Sequence, residues 1–207
     1  EILIGSLLGD AYITKRGQIQ FEQSYKQKEY LFWKHQELSS ISYKNISMVK
    51  RFDKRFSKTN VSYRFWTRQY FISWREKFYS NKKKVVPKDI QLTPLVLAIW
   101  YMDDGCLSDH KCIIATDGFS KEDISFLQKL LLEKFDIKTS VKNESKLLIK
   151  KESFETFFSV INPYILSTLQ YKVFDPVTTS LSIKHRQRDI NHVVDITRQH
   201  PPRRMKV

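Results

Sequence analysis

Asp10 and Asp104 each close an apolar run, ILIGSLLGD over 2–10 and LTPLVLAIWYMDD over 92–104. A carboxylate at the C-terminal end of a helix faces the negative pole of the helix dipole, at a cost of about 0.3–1 kcal/mol. It also follows residues that belong in a core, so desolvation adds to that cost. One such acid is an ordinary surface residue. Two at the same point of two similar segments, 94 residues apart, point to a ligand that both serve. Carboxylates that share a site repel unless they are protonated or metal-bound. A divalent cation, Mg²⁺ or another such as Mn²⁺, is the natural compensation for oxygen donors, and beside a phosphate such a pair becomes a site for metal-assisted hydrolysis. The backbone carbonyls of Gly9 and Asp103, each one residue before an aspartate of the pair, are further candidate ligands. Asp104 ranks above Asp103 because it matches Asp10 when each is counted along its helix. Spacing alone leaves open a pair of unrelated solvated acids.

The elements around these acids repeat. Residues 2–11 are helix-compatible, with Gly5 and Gly9 on one face, where small residues let a second helix approach closely. Two short strands follow around Arg16-Gly17, then a helix over 27–41, strands over 47–56 and 61–68 with a turn near Ser57–Asn60, and a helix over 70–80. Lys82-Lys83-Lys84 and Pro87 make a break. The order then restarts. A helix over 92–104 has Thr93 as N-cap and Pro94 in its first position, and Gly105 stops it. Strands are expected within 106–116, a helix capped by Ser120 over 121–135, strands over 137–142 and 146–151, and a helix over 153–162. The chain is therefore expected to be α+β, with two pseudo-symmetric αββαββα repeats over 1–91 and 92–175. Residues 176–207 form a polar, basic C-terminal extension, expected to be partly disordered.

Composition narrows the partner. The 207 residues carry a net charge of +14. Residues 1–91 hold 19 Lys and Arg against 8 Asp and Glu, whereas 92–171 hold 9 against 11. The excess lies among aromatic and β-branched residues rather than in low-complexity runs, so it belongs to folded structure that meets a polyanion. No apolar run reaches the roughly 18 residues of a membrane span, and no signal peptide is visible. Cys106 and Cys112 find no partners at zinc-finger spacing and read as free thiols in a reducing compartment, with a disulfide between neighbouring strands as the alternative. The chain opens at Glu1 inside an apolar run, so a preceding segment is expected.

At this point the motifs become specific. LIGSLLGDAYI (3–13) and LAIWYMDDG (97–105) resemble the two motifs of a monomeric LAGLIDADG homing endonuclease, with Gly5, Leu7 and Asp10 matching in the first and Leu97, Ala98, Asp104 and Gly105 in the second. Ala11 departs from the motif's final glycine. NKKKVVP (81–87), NPYI (162–165) and YK (171–172) look like segments of the group I intron-encoded organellar branch. The resemblance covers about residues 2–175. It implies two motif helices at the interface between the repeats and two antiparallel sheets forming a saddle over DNA. It also implies Mg²⁺ held by the motif aspartates, and a mitochondrial (alternatively chloroplast) location. Each repeat of the family supplies a basic residue near the scissile phosphate. By position these are Lys84, 74 residues past Asp10, and Lys172, 68 past Asp104. Either lysine could stabilise charge on the transition state or orient the attacking water. An exposed lysine remains the plain alternative for each. Gln20 or Glu22 in the first half and Asp117 in the second are candidates to line the water pocket.

Double-stranded DNA is the expected partner, met by the chain as a monomer and without a membrane. Candidate DNA-facing residues are Lys15, Arg16, Gln18, Gln20, Lys50, Arg51, Lys54, Arg55, Arg64 and Arg68, then Lys138, Lys142, Lys146 and Lys150. Arg and Gln suit bidentate base contacts, and Lys more often holds phosphate. The alternative function is an RNA maturase that assists intron splicing on the same scaffold, with intron RNA as its partner.

Overall fold

The structure, a computed structural model, describes residues 1–173. They form one compact unit. The extension expected at 176–207 lies outside the described residues.

The elements run α1 (Ile2–Leu8), β1 (Tyr12–Ile13), β2 (Ile19–Ser24), α2 (Lys28–Glu37), β3 (Ser47–Asp53), β4 (Lys58–Trp66) and α3 (Ile72–Phe78). A two-stranded ribbon of β5 (Tyr79–Ser80) and β6 (Lys83–Lys84) follows. The second series is α4 (Pro94–Asp104), β7 (Gly105–Ser108), β8 (Lys111–Ala115), α5 (Lys121–Phe135), β9 (Thr139–Lys142), β10 (Lys146–Ile149) and α6 (Phe154–Ile161). The expected αββαββα order therefore occurs twice. Each series builds a four-stranded antiparallel sheet, ordered β1-β2-β4-β3 and β7-β8-β10-β9, so the two topologies match strand for strand.

Local chemistry explains the boundaries. The Thr93 hydroxyl accepts from Val96 N, and Pro94 occupies the first turn of α4, where its missing N–H costs nothing. The Ser120 hydroxyl accepts from Asp123 N at the start of α5. α1 is shorter than expected. It stops at Leu8 because Gly9 leaves the helical region, and Ala11 N donates to Ser6 O in a wider turn. Asp10 thus lies two residues beyond its helix, whereas Asp104 is the last residue of α4. The β3–β4 turn falls at 54–57 rather than 57–60, with Asp53 accepting from Arg55 N and Ser57 in the left-handed region. The lysine run is not a break. Asn81 and Lys82, both at positive φ, close the β5–β6 ribbon tightly.

The core centres on α4, whose residues from Val96 to Met102 are all buried. α1 packs along it. A Cβ on Gly5 would lie 2.6 Å from Ile99 Cβ and 2.7 Å from the Val96 carbonyl, and one on Gly9 would lie 2.5 Å from Asp103 Cβ. These two glycines, on one face of the first motif, set the close approach that brings the ends of α1 and α4 together. In the first sheet Phe21 stacks on Phe65 at 4.6 Å, and in the second Ile114, Leu147 and Ile149 are buried.

Candidate active site

Asp10 follows the end of α1 and Asp104 closes α4, and the two helices pack on each other. Burial is the largest influence on both: with the negative charges of Asp10 and Asp103 it raises the Asp104 carboxyl to about 7, and with that of Asp103 it raises the Asp10 carboxyl above the usual range. Gly9, next to Asp10, lies against Asp103, next to Asp104: a Cβ on it would lie 2.8 Å from an Asp103 carboxylate oxygen.

The two lysines approach the pair in matching ways. Lys84, on β6, donates from Nζ to the carbonyl of Gly9 at 2.6 Å. Lys172, at the end of a short 3-10 turn over Ser167–Lys172, donates to the carbonyls of Met102 at 2.6 Å and Asp103 at 3.2 Å. Each ammonium therefore reaches the carbonyl just before an aspartate of the pair. Desolvation lowers both lysines, opposed in each case by the three carboxylates of Asp10, Asp103 and Asp104. Tyr101, buried in α4, fixes Lys172 from the other side by donating its hydroxyl to the Lys172 carbonyl at 2.7 Å.

Asp103 has a different partner. Its two carboxylate oxygens lie 2.8 and 2.9 Å from Lys34 Nζ, and both side chains are almost fully buried. Its side chain is thus committed to an ion pair, and only its carbonyl faces Lys172. Gln23 joins the two motifs, donating from Nε2 to Asp10 at 3.0 Å and to Asp103 at 3.2 Å. Neither Gln23 nor Lys34 was among the residues singled out from the sequence. Gln23 carried a signal: it shares strand parity with Ile19 and Phe21, the core-facing side of β2, where a polar residue is out of place. Of the residues expected to line the water pocket, Glu22 borders the groove that opens from Asp10, and Gln20 and Asp117 are not among its lining residues. Gln20 accepts from the Tyr12 hydroxyl, and Glu22 is bound by Arg51, Arg64 and Ser62, which hold it down at about 2. Asp117 accepts from Ser145 in an exposed turn.

The donors are oxygen only, two partly buried carboxylates and the carbonyls of Gly9 and Asp103, and this chemistry fits Mg²⁺ or Mn²⁺. Among the described residues no group of three or more His, Cys, Asp or Glu is arranged around a common ion position. An ion here would complete its shell with carbonyl, water and phosphate oxygens.

From Asp10 an open groove of about 500 Å³ runs along the first sheet past Gln23, Gln27, Arg51 and Asn60. Strand register sorts the DNA candidates. Gln20, Arg51 and Arg64 share the outward face with Glu22. Lys50 lies opposite Val61 on the other face, because side chains alternate along a strand and Arg51 already occupies the outward position. Lys15 and Arg16 occupy the β1–β2 turn, with Gln18 just after it, and Lys54 and Arg55 the β3–β4 turn, where Arg55 pairs with Asp53. Arg68 follows β4, its backbone N–H bonded to Ile41 O. In the second sheet Lys142 and Lys146 are paired neighbours, and Lys150 N bonds Lys138 O at the sheet's end, so the four lysines share one face.

Residues 1–157 match the LAGLIDADG DNA endonuclease family, and the chain belongs to that family. Lys172 lies beyond this match. Two relatives are named cytochrome b mRNA maturase bI2. The one from Saccharomyces cerevisiae is 33% identical over 84% of this chain, and the chain spans only 46% of its length. The one from Debaryomyces hansenii is 31% identical over 84% of this chain and 72% of its own. A probable intron-encoded endonuclease from Wickerhamomyces canadensis is 30% identical over 84% and 82%. The solved structure of the homing endonuclease I-WcaI bound to its DNA recognition sequence superposes with a TM-score of 0.76 at 28% identity, covering 84% of each chain. The family and fold expected from the two motifs are those found. No helix among the described residues is long and apolar enough to cross a membrane.

Proposed function

We propose that the chain is a monomeric homing endonuclease that cuts both strands of a DNA duplex at an intron insertion site, with Mg²⁺ or Mn²⁺ at the Asp10–Asp104 pair. The observation that carries this is the correspondence of the two halves: an aspartate just past the end of α1 and another closing α4, each with a lysine on the carbonyl before it. A bound cation would supply charge neutralisation and activation of water. Asp10 and Asp104 would hold it in their ionised forms. Lys84 and Lys172 bring positive charge to where the phosphate gains negative charge as water bonds to phosphorus and one P–O ester bond breaks. Gln23 fixes the orientation of Asp10. Both halves of the seam come from one chain, so no second copy is required. Two relatives are maturases of cytochrome b mRNA, which supports a mitochondrial location.

The deciding experiment incubates the chain with duplex DNA carrying the uninterrupted host-gene junction. Mg²⁺-dependent double-strand cutting is expected, with binding that weakens steeply as salt rises. The names of those same relatives favour one second reading, splicing assistance to an intron RNA. Mg²⁺-independent rescue of splicing without any DNA cutting would establish that reading instead.

A further inference from the structure

The outward faces of the two sheets differ at equivalent places. Two residues after Asp10 stands Tyr12, and two after Asp104 stands Cys106. The first sheet carries a row Tyr12–Gln20–Trp66, with the Tyr12 hydroxyl bonded to Gln20 and Arg64 lying over the Trp66 ring. The second carries Cys106–Ile113–Leu148–Ser140 in the same register. Ile113 and Leu148 are half-buried and Cys106 is exposed, whereas their strand neighbours Cys112, Ile114, Leu147 and Ile149 are buried on the opposite face. Three apolar side chains thus face outward where the first sheet offers hydrogen-bonding groups. Lys146 and Lys142 lie in the next row of the same face.

From this we infer that the second sheet selects thymine, by packing Ile113 and Leu148 against C5-methyl groups in the major groove. The inference rests on the DNA-cleaving reading above. The thymine methyl is the largest apolar group that unmodified base pairs present in that groove; cytosine carries only a hydrogen at the same carbon, and the N7, O6, O4, N4 and N6 atoms donate or accept hydrogen bonds. An apolar row pressed on those atoms would strip their water and return nothing, so it discriminates against them. Lys142 and Lys146 supply the phosphate contacts that hold the row against the bases. The two halves then read their half-sites by different chemistry, hydrogen bonding under the first sheet and methyl packing under the second.

The test selects bound duplexes from a randomised DNA library with the Asp104→Asn chain in Mg²⁺. An iron chelate tethered to the exposed Cys106 marks, by local strand scission, which base pairs lie under the row; Cys112 is buried and stays unlabelled. Thymine is expected to be enriched at two or three of those positions. Replacing these thymines with deoxyuridine, which lacks only the methyl, should weaken binding about threefold to fivefold per position, and Ile113→Gln with Leu148→Gln should abolish that penalty. The uridine arm needs no protein variant, so a fold defect cannot obscure it. Selected sites without thymine under the row, or full tolerance of deoxyuridine, overturn the inference and leave the endonuclease reading intact. Absence of any sequence-selective DNA binding overturns both.

Discussion

Lys34 and Asp103 form a buried ion pair across the two repeats, with Nζ 2.8 and 2.9 Å from the carboxylate oxygens and almost no solvent on either side chain. Lys34 also lies 4.3 Å from the centre of the Tyr30 ring. Removing one member of such a pair leaves the other charge stranded, typically at about 3–5 kcal/mol. Lys34→Met is expected to lose stability in that range in urea unfolding followed by circular dichroism. The double variant Lys34→Met/Asp103→Leu should lose less, since neither charge remains. An unfolding curve for Lys34→Met that overlays the parent would refute the role assigned to the pair.

The seam makes a second prediction. A Cβ on Gly5 would meet Ile99 Cβ and the Val96 carbonyl at under 3 Å, and a backbone carbonyl in a buried helix cannot step aside. Gly5→Ala should therefore separate α1 from α4, at about 1–3 kcal/mol of overpacking strain. Because Asp10 is carried by α1, the same change should lower cutting more than it lowers DNA affinity. Parallel cleavage and gel-shift titrations check this, and equal losses in both would count against it.

How much of this was legible in the sequence depends on range. Thr93-Pro94 and Ser120 announced α4 and α5 because caps are local chemistry. The offsets of Lys84 and Lys172 were visible because the chain repeats. Lys34 gave no such signal: its partner is 69 residues away, and only the fold buries both. Gln23 is readable by parity, on the opposite face of β2 from its outward neighbours Gln20 and Glu22. The β5–β6 ribbon escaped because two-residue strands carry no period, and its lysines resemble a solvated run.

The proposed chemistry predicts near-equal dependence on the two lysines. Lys84→Met and Lys172→Met each remove one ammonium from a carbonyl beside the pair, and each should slow cutting about a hundredfold or more. Asp10→Asn and Asp104→Asn should go further and abolish double-strand cutting, with the fold retained. Plasmid cleavage resolves nicked from linear product. If either lysine variant cut at the parental rate, that lysine would have no part in the reaction.

The carboxyl of Asp104, raised to about 7 by burial and by Asp10 and Asp103, ties stability to pH. Its ordinary value is 3.8, so between about 4 and 7 the folded chain holds this proton more tightly than the unfolded chain does. The metal-free protein should therefore lose stability from this group as pH rises from 4 to 7, with no further loss from it above 7. Asp10, also raised, adds in the same direction. A divalent cation binds the ionised pair and acts against the loss. Millimolar Mg²⁺ should thus raise the melting temperature more at pH 8 than at pH 6. Asp104→Asn should flatten the metal-free pH slope and shrink the Mg²⁺ shift together. Thermal melts across this pH range, with and without Mg²⁺, measure both. A Mg²⁺ shift that survives undiminished in Asp104→Asn would place the cation somewhere other than this pair.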